Sequence, residues 1–166
     1  MATASLTAAR LRELLAYDPE TGSFTWLQQR PKAITGRSAG CLNKTLGYIV
    51  IGVEGTRYYA HRLAFLWMTG AWPLGQADHI NGNRADNCWS NLRDVTGSVN
   101  LQNVHKARRH NASGMLGVRK ARVGSRWDSM ITVNKRLTYI GSFSSPEEAH
   151  EAYLEAKRRL HAGNTL

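Results

Sequence analysis

The sequence has very few cysteines and no long apolar segment, and these two absences exclude several classes of protein. It has only two cysteines, Cys41 and Cys88, which are widely separated and form no C-x-x-C pair. A zinc ribbon or a cysteine-type zinc finger is therefore excluded, because it needs closely spaced thiolate ligands. No run of about 18 apolar residues occurs, so no segment is expected to cross a membrane. The N-terminal segment lacks the apolar core of a signal peptide, and we expect a cytoplasmic protein.

Acidic residues are also scarce. The chain has 22 Lys and Arg against 12 Asp and Glu, which gives a formal net charge of +10. Nine of the basic residues lie between Val104 and Phe143, where Asp128 is the only acid. A merely solubilising surface charge is the alternative, but such a concentrated basic block is typical of proteins that meet nucleic acid or an anionic surface.

The spacing of apolar residues and turn signals predicts an α+β fold in two parts. Before the basic block we predict a helix capped by Ser5 or Thr7 and ending near Ala16, a strand over 23–28, a hairpin of strands 48–53 and 56–60, and a helix over 62–68 that ends at Gly70. Residues 106–113 form a polar linker, which places the boundary between domains 1–109 and 110–166. Beyond it we predict strands over 115–120, 126–133 and 137–143 and a helix capped by Ser144 or Ser145, which together form a three-stranded sheet packed on one helix.

The stretch from Ala77 to Val104 concentrates polar side chains that suit catalysis. It contains Asp78, His79 and six asparagines. We predict a strand over 76–80, a second over 92–95, and a helix that Thr96 caps and that runs to about residue 106. Asn100 and Asn103 then lie one turn apart on the same face of that helix.

This arrangement suits hydrolysis of a phosphodiester. A hard cation such as magnesium takes oxygen ligands, and Asp78 and Asn100 supply a carboxylate and an amide oxygen. His79 has an ordinary pKa near neutrality and can take a proton from the attacking water. Asn91, in the connecting loop, can bridge backbone groups and fix the pose of His79. No zinc is expected, and magnesium, with manganese as the alternative, is the predicted cofactor.

Each of these residues also has a purely structural interpretation. A histidine such as His79 is often simply packed or exposed, and Asn-Gly and Asp-Asn pairs are ordinary turn formers. Asn87 and Asn103 therefore stay undecided between a structural and a catalytic role. The functional interpretation depends on the spacing of the set.

The motif DHINGNRADN…SNLR…VNLQN resembles the HNH endonuclease motif in its HNN form, as found in phage intron-encoded and free-standing homing endonucleases. The preceding stretch AHRLAFLWMTGAWP is similar to the lead-in of those proteins. The resemblance implies a ββα-metal finger preceded by a small antiparallel sheet. In it His79 is the general base, Asp78 and Asn100 are metal ligands, Asn91 braces the loop, and Arg93 contacts DNA. It also implies a phage- or bacterium-encoded protein that acts in a bacterial host cell.

The segment from Gly114 to Gly163 resembles the Apetala-type DNA-binding domain of plant ethylene-responsive factors. The similarity rests on Gly-Val-Arg at 117–119, Trp127, Tyr-Ile-Gly at 139–141 and the Glu-Glu-Ala…Ala-Tyr helix. It implies that one basic and aromatic face of the sheet enters the major groove, where Arg can recognise guanine. The implied DNA-facing residues are Arg119, Arg122, Arg126, Trp127, Arg136 and Tyr139. Packing in the core is the alternative role of Trp127.

The sequence thus predicts a metal-dependent DNA endonuclease of the homing type, one that either nicks or cuts both strands of double-stranded DNA. Its second domain would place it on the DNA, and we expect a monomer. The alternative is a DNA-binding regulator that retains a nuclease fold without cutting.

Overall fold

The computed structural model describes residues 6–29, 34–104, 107 and 111–161 of the chain. Four α-helices and several small antiparallel sheets make up this described part, in agreement with the predicted mixture of helix and sheet. The chain folds into two compact units that divide between Thr96 and Gly97. None of the described helices is long and apolar enough to cross a membrane. Ser5 and half of the predicted linker, residues 106 and 108–110, lie outside the described residues.

The first unit begins with helix α1, Ala8–Leu14, whose N-cap Thr7 accepts a hydrogen bond from the backbone N–H of Arg10. It continues directly into strand β1, Leu15–Asp18, which pairs with β2, Ser23–Trp26, as an antiparallel hairpin. The prediction of a helix to Ala16 was therefore wrong at its end. Leu15 and Tyr17 alternate as buried residues, and their pairing with β2 makes the segment a strand.

A three-stranded sheet and a helix complete the core of the first unit. Strands β3, Cys41–Leu42, β4, Ile49–Val53, and β5, Thr56–Tyr59, are antiparallel, and the predicted hairpin turn at Glu54 and Gly55 is present. Helix α2, Ala60–Thr69, follows and ends at Gly70, which has the left-handed conformation that a C-cap favours. The core is formed by buried side chains that include Leu11, Leu14, Leu15, Phe24, Ile51, Val53, Leu63 and Leu66.

The stretch rich in asparagine forms a hairpin with a long, structured loop. Strand β6, Gln76–His79, pairs with β7, Leu92–Val95, and a 3₁₀ turn over Trp89–Asn91 leads into β7. In the register, Asp78 faces Arg93 and His79 faces Leu92. Both strands agree with the prediction, except that β6 ends one residue earlier, at His79.

The second unit starts with the short helix α3, Gly97–Gln102, which the sequence analysis had assigned to the first domain. Strands β8, Val118–Lys120, β9, Trp127–Val133, and β10, Arg136–Phe143, form an antiparallel sheet in the order β10-β9-β8. Helix α4, Pro146–Leu160, packs on this sheet, and its N-cap is Ser145. The predicted module of three strands and one helix is therefore present, with β8 starting three residues later than expected.

Candidate functional site

His79 lies at the end of β6 and is almost completely enclosed, with 3% of its surface exposed. Its Nε2 atom is 3.1 Å from Oδ1 of Asn87, which is equally buried. Burial lowers the pKa of His79, and the hydrogen bond with Asn87 and the carboxylate of Asp78 oppose that shift. The ring is therefore neutral near pH 7, which is the state in which a histidine can accept a proton.

Asp78 precedes His79 on the same strand and is paired with Arg93 on β7. Both Nε and Nη2 of Arg93 donate to Oδ2 of Asp78, at 3.0 and 2.9 Å. The side chain of Asp78 is only 11% exposed and that of Arg93 22%, so the ion pair is largely shielded from water. Arg93, which the sequence suggested as a DNA contact, lies against the candidate metal ligand.

Asn91 ties together the two ends of the loop between β6 and β7. Its Oδ1 accepts a hydrogen bond from the backbone N–H of Asn81, at 2.9 Å, and its Nδ2 donates to the carbonyl of Asp86, at 2.8 Å. A side chain that satisfies backbone groups on both sides of a loop holds that loop in one conformation. Asn91 thus makes the kind of bridge that the sequence suggested for it.

A cluster of rings that was not predicted from the sequence surrounds His79. His61, near the start of α2, places its ring edge-on to that of His79 with centroids 4.9 Å apart. Tyr48 lies 5.1 Å from His61 and 5.9 Å from His79. The guanidinium of Arg84 lies over Tyr48, 4.9 Å from its ring centroid. These residues come from three separate parts of the sequence, so spacing alone could not have grouped them.

His61 is buried among these rings, with 6% of its surface exposed. No described residue forms a hydrogen bond with its Nδ1 atom. Burial, together with His79 and Arg62, lowers the pKa of His61 to about 3. The only signal in the sequence was its position in the AHR lead-in to the motif.

Asn100 and Asn103 belong to the second unit. Asn100 is half-buried on α3, and Asn103 follows the helix and is buried, with 8% exposure. The predicted helix to residue 106 is shorter than expected, because α3 ends at Gln102.

The residues that bear this chemistry lie within one short stretch of the chain, 58–102. That stretch matches the family model described as HNH endonuclease. The HNH match includes Asp78, His79, Asn87, Asn91 and Asn100, and it begins just before α2 with His61. It supports nuclease activity on DNA, and nucleases of this family generally use a divalent metal. No curated protein and no solved structure shows a significant match to the chain.

Few metal-binding side chains lie near His79 in the part of the chain that the structure describes. Among the described residues, no group of three or more His, Cys, Asp or Glu side chains is placed to hold an ion. The carboxylate of Asp78 fits a hard cation such as magnesium, which takes most of its ligands from water and from substrate phosphate.

The residues predicted to face DNA in the second unit are divided between two faces of the sheet. Arg119 is paired with Asp128, and Tyr139 with Met130, which places both on the open face, away from α4. Trp127 lies on the same face of β9 as the buried Ile131, which is the face that α4 covers.

Arg136 is exposed and is paired with Val133, so it also lies on the face that α4 covers. The expectation of one shared basic and aromatic face was therefore wrong. The register explains the difference: Trp127 is paired with Lys120, the neighbour of Arg119, and successive residues of a strand point to opposite faces.

The loop between β8 and β9 is the other basic feature of this unit. Arg122 and Arg126 are both exposed there, and Nη2 of Arg126 donates to the carbonyl of Ser142, at 2.6 Å. Arg119 lies next to this loop on the open face, with its Nε atom 3.6 Å from Asp128. Three arginines, Arg119, Arg122 and Arg126, therefore remain as exposed candidates for contact with phosphate or base edges.

Proposed function

We propose that this chain is a metal-dependent DNA endonuclease in which His79 activates the attacking water. The observation that carries the proposal is a buried, neutral imidazole beside a carboxylate, inside the residues that match the HNH family. A neutral histidine is a competent general base at physiological pH.

In the proposed reaction His79 takes a proton from water as the water oxygen attacks phosphorus. The bond to the leaving oxygen breaks as the new bond forms, and the leaving oxygen takes up a proton from solvent. A divalent cation, when bound, would stabilise the charge that develops on the phosphate and on the leaving oxygen. Asp78 is the proposed ligand in the first unit, and Asn91 keeps the loop beside His79 in one conformation.

Asn100 is proposed as a second ligand on the spacing of the motif alone. The guanidinium of Arg93 compensates the charge of the Asp78 carboxylate inside a shielded site. The ββα-metal arrangement of β6, β7 and α3, the choice of magnesium, and the homing type are proposals that rest on the resemblance of the HNN motif.

Plasmid cleavage with magnesium tests the proposed function. The substitution His79→Ala should lower the cleavage rate by about 10²- to 10⁴-fold, because it removes the general base. Asn100→Ala should also lower it and should raise the metal concentration needed for half-maximal rate. His150→Ala, which removes a half-buried histidine in the second unit, is the matched control and should cut like the parent.

If the pure parent protein does not cut DNA with magnesium or manganese, the proposed endonuclease activity is wrong. Binding of DNA without cutting would then favour the regulator that retains only the nuclease fold. The ratio of nicked to linear plasmid decides between cutting one strand and both. Mapping the ends on phage genomes tests the proposed homing function in a bacterial host.

We also propose that the second unit binds double-stranded DNA through the open face of its sheet and the β8–β9 loop. The charge supports this, because Arg119, Arg122 and Arg126 lie together there and are exposed. Arg119→Ala and Arg126→Ala should each weaken binding by about 10-fold, in line with the loss of one contact to a base or to phosphate. Arg158→Ala, which removes an exposed arginine on α4, is the control, and an equal effect in all three variants would contradict the proposed face.

A further inference from the structure

The hydrogen bond between His79 and Asn87 determines which ring nitrogen of His79 carries the proton. Nδ2 of Asn87 donates to the carbonyl of Ala85, at 3.2 Å. Since a carbonyl only accepts, the amide of Asn87 must present Oδ1 to His79. Oδ1 also only accepts, so the Nε2 atom that faces it must be the protonated nitrogen of the ring. In the neutral ring the lone pair is then on Nδ1.

The backbone of Asn87 is held by the N-terminal hairpin of β1 and β2, which lies outside the residues that match the HNH family. The buried hydroxyl of Tyr17 donates to the carbonyl of Asn87, at 2.7 Å. Two residues further on, the N–H of Trp89 donates to the carbonyl of Pro19, at 2.8 Å. The hairpin therefore forms hydrogen bonds with the loop on both sides of Cys88.

Gly22 makes the closest approach between the hairpin and this loop. A Cβ atom at Gly22 would lie 2.2 Å from the carbonyl carbon of Asn87 and 2.4 Å from the backbone nitrogen of Cys88. Its φ of +71° is also a conformation that side chains disfavour. No other residue type fits at this position without moving the backbone of Asn87.

We infer that Asn87 is a positioning residue that keeps His79 in the Nε2–H tautomer, and that the hairpin over residues 15–26 holds Asn87 in place through Tyr17, Pro19 and Gly22. Nδ1 of His79 is then the nitrogen that takes the proton from water. This consequence for catalysis rests on the proposed function, whereas the tautomer itself does not. Loss of a hydrogen-bond partner that orients a metal-binding histidine typically lowers activity by about 10- to 100-fold, and we expect a loss of similar size here.

The tautomer is measured directly by ¹H–¹⁵N correlation of the imidazole rings in the ¹⁵N-labelled full chain without metal. His79→Gln assigns the signals of His79. We expect a protonated Nε2 and an unprotonated Nδ1 in the parent, and a mixture of tautomers in Asn87→Leu. Asn87→Asp retains an oxygen acceptor and should restore the Nε2–H form. A parent with the proton on Nδ1 would overturn the inference.

Kinetics of plasmid cleavage test the consequence. Asn87→Leu should lower kcat by about 10- to 100-fold with little change in KM, and Asn87→Asp should recover most of the loss. Thermal unfolding of each variant verifies that the protein compared is folded. A folded Asn87→Leu protein with the kcat of the parent would overturn the positioning role. An Nε2–H signal in a parent that cuts no DNA would support the tautomer and reject the proposed function, so the two failures are distinguishable.

A pair of glycine variants tests the hairpin. Gly22→Ala and Gly36→Ala both place a side chain at positive φ, +71° and +80°, but only the first pushes against Asn87, because no atom of a described residue lies within 4 Å of a Cβ at Gly36. Gly22→Ala should therefore change the ring signals of His79 and lower kcat, whereas Gly36→Ala should leave both as in the parent. Equal behaviour of the two variants would remove the hairpin from the positioning of His79.

Discussion

At the scale of single residues, four asparagines in one loop perform two kinds of task. Asn81 and Asn83 each accept a hydrogen bond from the backbone N–H two residues later, as ordinary turn residues do. Asn87 and Asn91 are buried. The side chain of Asn87 contacts His79, and that of Asn91 bonds to the backbone of Asn81 and Asp86 within the loop. The sequence could not separate these groups, because the four residues are chemically identical and only their surroundings differ.

The burial of His61 predicts how the stability of the folded protein changes with pH. Its pKa in the folded protein is lowered from 6.5 to about 3 by burial, so the folded unit keeps the ring neutral. The unfolded chain takes up a proton as the pH falls through its ordinary pKa. The contribution of His61 to stability is therefore complete above that pKa and is lost as the pH falls from it toward the folded value.

Because of His61, the free energy of unfolding should fall by about 2 kcal/mol between about pH 7 and about pH 5. Urea unfolding at the two pH values, followed by tryptophan fluorescence, measures it. In His61→Gln the difference in the free energy of unfolding between the two pH values should be smaller than in the parent by that amount. The same pH dependence in parent and variant would show that His61 is not the residue responsible.

At the scale of elements, local signals determined the second unit more completely than the first. Ser145 accepts the N–H of Glu148, and Glu148 accepts the N–H of Ser144, so the start of α4 is stabilised by residues next to it in the sequence. Asn134 and Lys135 both have positive φ in the predicted tight turn. In contrast, the end of α1 depends on the pairing of β1 with β2, which is a tertiary contact.

The packing of α4 on the sheet predicts a large effect at Gly117, just before β8. A Cβ atom there would lie 2.0 Å from the ring of Tyr153 on α4, at a φ of +72°. Gly124 has a similar φ of +80°, but no atom of a described residue lies within 4 Å of its Cβ position, so it is a matched control for backbone strain. Gly117→Ala should lower the free energy of unfolding by about 1–3 kcal/mol more than Gly124→Ala does, because it also overpacks a core.

Thermal unfolding of the two glycine variants measures that difference. Equal stabilities of the two variants would mean that α4 can move away from β8 without cost.

At the scale of the whole molecule, charge is the feature that most restricts function. The net charge of +10 and the basic block after residue 104 favour a polyanionic partner, and the HNH match implies that this partner is DNA. If the second unit also binds DNA, as proposed, two compact units on one chain raise the local concentration of each at the DNA that the other has bound. Affinity of the full chain should therefore exceed that of either unit.

Because of that charge, the affinity for DNA should depend strongly on salt concentration. If the chain neutralises six or more phosphates, its affinity for double-stranded DNA should fall by at least about 10³-fold between about 50 and about 200 mM salt. Fluorescence anisotropy with a labelled duplex measures this, and Arg119→Ala should reduce the slope of log affinity against log salt by about one. An affinity that does not depend on salt would contradict binding through phosphate contacts.

The sequence by itself determined the hairpin of β6 and β7, helix α2 and its end at Gly70, the module of three strands and α4, and the nuclease motif. These features follow from periodicity, caps and turn residues, which act over a few positions of the chain. Only the tertiary structure decided that His61 and Tyr48 surround His79, that Arg93 neutralises Asp78, and that Arg119 and Trp127 lie on opposite faces. Those facts depend on register and on contacts between distant segments, and no local pattern of residues encodes them.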